Sequence, residues 1–277
     1  VINGPLEPGF SRLLESLRPY GGKAWLRNPG TGRRVIQDSV NAAGVEALRL
    51  EKGTAPVVVV RNGPLPGAGS WTHQYGDIAN TVKSNDTRVK LPLGLLWFGG
   101  SSNLDVLPRH AHGPPEQVAG GRLFIEGIDC MSARDVYTGR VLWKTRIEGL
   151  DNFNVYYDET YKDAPTSTEY NQIHIPGANV RGANFVATTD RLYIAAGPVC
   201  RVLDTTTGEV TGTIGLPEGS GGWGYIGVCG DYLIAGGGLV DFSSRMPGGS
   251  EKPSERDKPF LDFNRSASSS LTVMNRH

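Results

Sequence analysis

The residues of this chain able to bind or to catalyse are few, and their spacing limits what they can do. His110 and His112 stand two apart in the run Arg109-His110-Ala111-His112. On an extended segment residues i and i+2 point to one side, so the two imidazoles would suit a metal or a phosphate. No third histidine follows nearby, and a histidine in a loop is more often solvated. Arg109 and Arg181 carry the planar fork that clamps an anion by paired hydrogen bonds, although arginine fastens loops to carbonyl groups in the same way. With His174 they make up the candidate ligand-binding residues: Arg109, His110, His112, His174 and Arg181.

Trp71, His73 and Asp77 form a second polar group. A catalytic constellation is one reading of it; the simpler one is a tryptophan plugged under a sheet, with polar neighbours that bond turns. Cys130, Cys200 and Cys229 are too few and too scattered for a disulfide framework or a paired-cysteine zinc site. Each falls in or beside an expected strand, where a buried structural thiol is the simpler reading. Gly219–Gly224 (GSGGWG) and Gly236–Gly238 have neither a lysine nor a helix after them, which argues against phosphate loops and for turns. No GxSxG elbow, HExxH pair or CxxC motif occurs. The sequence therefore names no catalytic residue and no metal site.

What positions these residues is a repeat. Gly121–Thr145 (GRLFIEGIDCMSARDVYTGRVLWKT) reads as three short strands, Arg122–Gly127, Met131–Asp135 and Arg140–Thr145, with tight turns at Gly120-Gly121 and Val136–Gly139. A second copy, Asp190–Ile214, puts Arg191 69 positions after Arg122 and Asp204 69 after Asp135. A third begins at Asp231–Ile234 and resumes at Leu271–Asn275, where Asn275 takes the place of the aspartate. An Asp before a turn bonds its own backbone, a Gly at the turn's end accepts positive φ, and the next strand returns antiparallel. Such a sheet buries its faces only by stacking on the next copy, and the commonest architecture that does so is the β-propeller. The expected fold is mainly β: an incomplete β-propeller of four-stranded antiparallel blades, about three of them present, preceded by a small α/β segment.

Asp135-Val136-Tyr137-Thr138-Gly139-Arg140-Val141-Leu142-Trp143 and Asp204-Thr205-Thr206-Thr207-Gly208 resemble the repeat signature of the pyrroloquinoline-quinone-like propellers. The resemblance makes Asp135, Gly139, Trp143, Asp204 and Gly208 a structural blade motif; Gly212 stands where the second copy would carry its tryptophan. Leu95-Leu96-Trp97 reads as the outer strand of a blade preceding the first full copy, and Trp97, Trp143 and Trp223 as core or blade-to-blade packing.

Residues 1–66 break the pattern. Phe10, Leu13, Leu14 and Leu17 lie at helical spacing, Pro19 and Gly21-Gly22 stop that helix, and a strand Lys23–Leu26 follows. Val40–Leu50 fits a second helix, and Val57–Val60 a buried strand. Leu13–Leu26 (LLESLRPYGGKAWL) resembles the late helix-to-strand step of class I S-adenosylmethionine-dependent methyltransferases, whose cofactor loop would lie upstream of Val1. The turn-rich run Pro64–Gly69 sets the expected boundary, with residues 67–277 forming the partial propeller. The combination resembles large bacterial proteins that join a methyltransferase-like region to a quinone-type propeller. A chain starting at Val1, with three repeats where a ring needs typically four to eight, is expected to be part of something larger.

Lys plus Arg equals Asp plus Glu at 28 each, which leaves no net field for nucleic acid or an anionic membrane. The longest apolar run, Ala55–Val60, is strand-sized, so no membrane span is expected. With blade strands lettered A to D from the inside out, the B-to-C and D-to-A connections leave one face. All three long excursions, Gly99–Pro115, Glu148–Gly182 and Gly237–Ser270, are of those kinds. That face carries the five candidates together with Asp151, Tyr156, Tyr157 and Arg245, and it is the default place to bind a ligand or protein partner. The expected function is a non-catalytic binding or scaffold module. The family resemblance implies an alternative, a quinoprotein dehydrogenase using pyrroloquinoline quinone (PQQ) with calcium, and a second, the substrate-binding part of a methyltransferase. Those dehydrogenases stack the quinone between a tryptophan and a disulfide of adjacent cysteines; the cysteines here are never adjacent, so no cofactor is expected in this chain. Partners would be that ligand or protein and the rest of the parent chain. The resemblance also implies a periplasmic or exported protein.

Overall fold

A computed structural model describes residues 2–3, 9–27, 29–53, 56–100, 105–107, 114–150, 185–239 and 268–277. The chain divides into two compact units, Val1–Gly69 with Asn85–Gly94, and Ser70–Ser84 with Leu95–His277. No described helix is long and apolar enough to cross a membrane.

The first unit is a mixed sheet of β1 (Ile2–Asn3), β2 (Gly22–Arg27), β3 (Leu48–Leu50) and β4 (Val57–Arg61), in spatial order β1-β2-β4-β3, with helices α1 (Phe10–Glu15) and α2 (Arg33–Ala42). Alternation along β2 buries Ala24 and Leu26 and leaves Trp25 exposed. The buried pair joins Leu14, Ile36, Val40 and Val59 in one core. Gly21 has φ +105°, and a Cβ on Gly22 would run into the Arg18 carbonyl; the paired glycines let β2 start hard against the end of the first helical stretch. The helix expected at Val40–Leu50 is not there. α2 ends at Ala42, Gly44 turns the chain at φ +65°, and Leu48–Leu50 pairs antiparallel with β4. Ala43, Leu48 and Leu50 pack on the same core from these different elements, which is why a helical period fitted them.

The second unit holds three antiparallel sheets. The first is β5 (Gln117–Ala119), β6 (Arg122–Gly127), β7 (Cys130–Asp135) and β8 (Val141–Arg146). The second is β9 (Phe185–Ala187), β10 (Arg191–Ala196), β11 (Val199–Asp204) and β12 (Val210–Gly215). The third comprises β13 (Trp223–Cys229), β14 (Tyr232–Leu239) and β15 (Ser268–Asn275). Strands in each run A, B, C and, in the first two, D. The pairs Arg122↔Asp135, Arg191↔Asp204 and Tyr232↔Asn275 occupy one register position, so Asn275 does stand for the aspartate. The ladder irregularity at Ala133/Arg134 recurs 69 positions on, at Val202/Leu203.

Alternate residues of the B strand β10 face opposite neighbours. Leu192 and Ile194 of β10 pack with Phe124, Ala133 and Trp143 of the first sheet, while Tyr193 and Ala195 pack with Ile226, Leu233 and Ala235 of the third. The fold is mainly β, of small antiparallel sheets stacked face on face as blades.

Two expectations need correcting. Gly236–Gly238 is not a turn but part of β14. A Cβ on Gly236 would collide with Ser268, and one on Gly237 would sit 2.7 Å from the Ser220 carbonyl, so the glycines admit close neighbours within a strand. Leu95-Leu96-Trp97 belongs to no strand, because no described strand pairs with it.

Candidate functional site

The D-x-x-x-G turns are the most regular feature of the blades. Asp135 Oδ1 accepts the backbone N–H groups of Tyr137 (2.9 Å) and Thr138 (3.1 Å), and Gly139, at φ +69°, donates its N–H to the Asp135 carbonyl at 2.8 Å. Asp204 Oδ1 accepts Thr206 and Thr207, both at 2.8 Å, and Gly208 closes the turn at φ +76°. The bond from Thr207, then that from Thr206, holds the Asp204 carboxyl below its ordinary range. Each turn is locked by a tryptophan from upstream. Trp143 Nε1 donates to the Thr205 carbonyl (3.0 Å) with its ring over Gly208, and Trp97 Nε1 donates to the Val136 carbonyl (2.9 Å) with its ring over Gly139.

At the inner strands, Trp71-Thr72-His73 joins all three sheets. Trp71 pairs with Val118 of β5 by two backbone bonds of 2.9 and 2.7 Å, the Thr72 carbonyl accepts the Ala187 N–H of β9 at 3.1 Å, and His73 Nε2 accepts the Val228 N–H of β13 at 3.1 Å. This leaves the proton on His73 Nδ1, 2.8 Å from Thr72 Oγ1. Burial pushes the imidazole below its ordinary pKa against the pull of Asp77, which suits an acceptor that must stay neutral. Asp77 itself caps a turn through the N–H groups of Ala79 and Thr81 and the Thr81 hydroxyl. Gln117 bridges β5 to β9, its Nε2 donating to the Phe185 carbonyl (2.6 Å) and its Oε1 accepting from Ala187 (2.8 Å). Each of these polar groups bonds a turn or a neighbouring strand and so has a role in the fold.

The two rims of the stack differ. One carries the A–B and C–D turns and is tied across sheets by Arg122 to Thr206 (3.1 Å) and Arg276 to Asp190 (3.4 Å), while Thr205 to the Thr189 carbonyl (2.8 Å) and Arg276 to the Gly230 carbonyl (2.9 Å) brace its turns within a sheet. Gly120 and Gly121, both at positive φ, form a two-residue hairpin there. The other rim carries the B–C turns and the D-to-A connections. There Leu107 donates to the Glu126 carbonyl (3.1 Å), Ile147 to that of Asp129 (2.9 Å), and Lys144 pairs with Asp105. A shallow depression of about 430 Å³ opens there, lined by Ile128, Asp129, Cys130, Lys144 and Arg146. Burial pushes the Cys130 thiol up, and the Asp105 bond raises the Lys144 ammonium, so at neutral pH the depression offers charged donors and no thiolate.

Arg109, His110, His112, His174 and Arg181, with Asp151, Tyr156, Tyr157 and Arg245, lie outside the described residues. Among the described residues no three metal-ligating side chains come together. The sequence reading missed the Asp105–Lys144 pair and the run of Trp71–His73 across three sheets. Both join residues far apart in the chain, and only the density of polar residues in SWTHQYGD hinted at the second.

No protein-family model matches this chain, and no curated protein matches it. Among solved structures it is similar to BamB from Moraxella catarrhalis, at 20% identity over 45% of this chain and 34% of that one, with a TM-score of 0.27. A quinohemoprotein alcohol dehydrogenase from Comamonas testosteroni is 21% identical over 61% of this chain and 23% of its own, TM-score 0.37. A europium-containing methanol dehydrogenase is 15% identical over 74% of this chain and 32% of its own, TM-score 0.39. The chain thus spans no more than about a third of the length of these solved proteins.

Proposed function

We propose that the blades form a non-catalytic binding or scaffold module that recognises a ligand or protein partner through the rim bearing the long connections. The observation supporting this is the contrast between rims. Tight turns on one side are bonded sheet to sheet, whereas the other is the side from which the long connections leave, and its B–C turn carries a depression with charged donors. Arg109, His110, His112, His174 and Arg181 fall in the connections leaving that second rim, and they are the residues we assign to recognition. The module works as part of a larger bacterial protein in an exported, periplasmic setting. Residues 1–66 close a methyltransferase-like domain in the same reading, supported by the Gly21-Gly22 step into β2.

The quinone alternative asks for adjacent cysteines and a carboxylate cage. Cys130 and Cys200 are separate, buried free thiols, and Cys229 is a third, exposed one. These residues do not fit the quinone, and no chemistry is assigned to it.

The test is selection of binders from a phage-displayed random peptide library against the purified chain. Selected peptides should lose at least tenfold in affinity for Lys144→Glu/Arg146→Glu, and be unaffected by Thr206→Lys on the opposite rim. Peptides indifferent to the first change and lost with the second would move recognition to the wrong rim. In parallel, PQQ with calcium should give no saturable quenching of tryptophan fluorescence; saturation at micromolar quinone would favour the dehydrogenase reading.

A further inference from the structure

The three sheets are tied at their inner strands by one short strap, Trp71-Thr72-His73, and its three attachments differ in chemistry. Trp71 trades two backbone bonds with Val118 of β5, and the Thr72 carbonyl accepts the Ala187 N–H of β9. The third attachment is a side chain, His73 Nε2, which takes the Val228 N–H of β13 at 3.1 Å. A peptide carbonyl accepts a hydrogen bond throughout the physiological pH range, whereas an imidazole nitrogen accepts one only while it carries no proton. The strap therefore has two attachments that do not titrate and one that does.

A proton added to Nε2 leaves two N–H groups facing each other across that 3.1 Å. Val228 cannot turn its N–H away, because it is fixed within β13 opposite Leu233 of β14. The ring cannot exchange nitrogens either, since Nδ1, 2.8 Å from Thr72 Oγ1, is already a donor. Among the described residues, the charge that draws the imidazolium is that of Asp77, four positions on. Bonds led by the one from the Thr81 hydroxyl hold the Asp77 carboxyl below its ordinary range, so it is ionised wherever the histidine titrates. Lys83 follows on the same segment, with its backbone against Gly76. The strands packed on the strap bring no charged side chain. β5 offers the neutral Gln117 amide, bonded to β9, and β9 is Phe185, Val186 and Ala187. β13 offers the Tyr225 phenol, kept protonated by burial, and the exposed Cys229 thiol.

We propose that the strap is an acid-released tie: neutral His73 fastens the inner edge of β13 to the first two sheets, and its protonation frees that edge while Trp71 and Thr72 keep their hold. The two states of the element are an imidazole bonded to Val228 and an imidazolium turned toward Asp77. His73 takes up its proton more readily once released, because burial in the closed strap disfavours the charged ring. The tie is thus fully present above about pH 6.5, the ordinary value for histidine, and is lost as pH falls through the lower value that the closed strap imposes. Val228 is 8% exposed, so its N–H meets water only when the strap lets go.

Amide hydrogen exchange on the isotope-labelled chain, followed by NMR from about pH 7.5 to about pH 4.5, reads both states. After correction for the intrinsic pH dependence of exchange, protection of the Val228 amide should fall at least about fivefold, with the midpoint of the His73 ring titration and below about pH 6.5. Protection of Ala187, held by the Thr72 carbonyl of the same strap, should not change over that range. His73→Gln keeps an acceptor of similar reach in Oε1 and loses the titrating group, so its Val228 amide should stay protected throughout. Asp77→Asn leaves the bond to Val228 in place and removes the charge that draws the imidazolium, so the midpoint should move to lower pH. Val228 protection that stays flat while His73 titrates overturns the proposal. So does a fall that persists in His73→Gln, or one that Ala187 shares in step, since either means general loosening in acid. A His73 ring that stays neutral until the whole unit unfolds overturns it as well.

Discussion

Gly208 lacks a side chain because Trp143 occupies the space where one would go. Its φ of +76° disfavours any L residue, and a Cβ would stand 2.5 Å from the indole. Strained backbone of this kind costs about 1–3 kcal/mol and overpacking about as much again, so Gly208→Ala should lose roughly 2–5 kcal/mol in urea unfolding. Gly212→Ala is the control. It lies at the position where the second copy lacks a tryptophan, its Cβ would meet only Val202 at 3.9 Å, and the variant should stay within about 0.5 kcal/mol of the native chain. Equal losses at both sites would mean that the indole lock is not what fixes the turn. The turns themselves were legible from sequence, since an aspartate bonding the backbone two and three residues on is local chemistry. The partner of the indole was not, because Trp143 and Thr205 are 62 positions apart. His73 shows the same limit: its residue type suggested chemistry, and only the Val228 N–H 155 positions away shows that the imidazole serves the fold.

Among the elements, the B–C hairpin of the third sheet separates what a pattern can show from what it cannot. The strand start at Asp231–Ile234 and the turn position at Asn275, matched to those of the first two copies, located its two strands and the inserted stretch between them, because register is a property of the repeat. The three glycines misled, since glycine marks both a turn and a crowded strand, and only the nearness of Ser268 and Ser220 decides which. The helix expected over Val40–Leu50 failed for a related reason, as short apolar runs satisfy either period. The hairpin carries a prediction of its own. Leu239 and Ser268 are register partners, so the ends of the insertion are adjacent. Replacing residues 240–267 with Asn-Gly should therefore keep the β14–β15 pairing and raise stability by roughly 2 kcal/mol, at about 0.6 kcal/mol for each halving of loop length. Loss of the fold, seen as loss of the far-ultraviolet β signal, would show that the insertion supports the sheet.

At the scale of the whole molecule, the two compact units have separate cores. Leu14, Ile36, Val40 and Val59 hold the first, whereas Phe124, Trp143, Leu192 and Leu203 run through the stack of the second, and no described residue belongs to both. Cooperativity follows shared burial, so sheets that interlock face to face should melt together and a unit that shares no core with them should melt apart. Scanning calorimetry should accordingly resolve two transitions. Ile36→Ala removes about 2–5 kcal/mol from the first core and should lower only one of them, by roughly 4–8 °C per kcal/mol for a unit of under a hundred residues. Leu203→Ala, of equal chemical size and equally buried, should move only the other, and by less per kcal/mol because the stack is larger. If either variant shifts both transitions equally, the units are one cooperative body, and the turn locks and blade faces described above must be stabilised from outside the stack as well as within it.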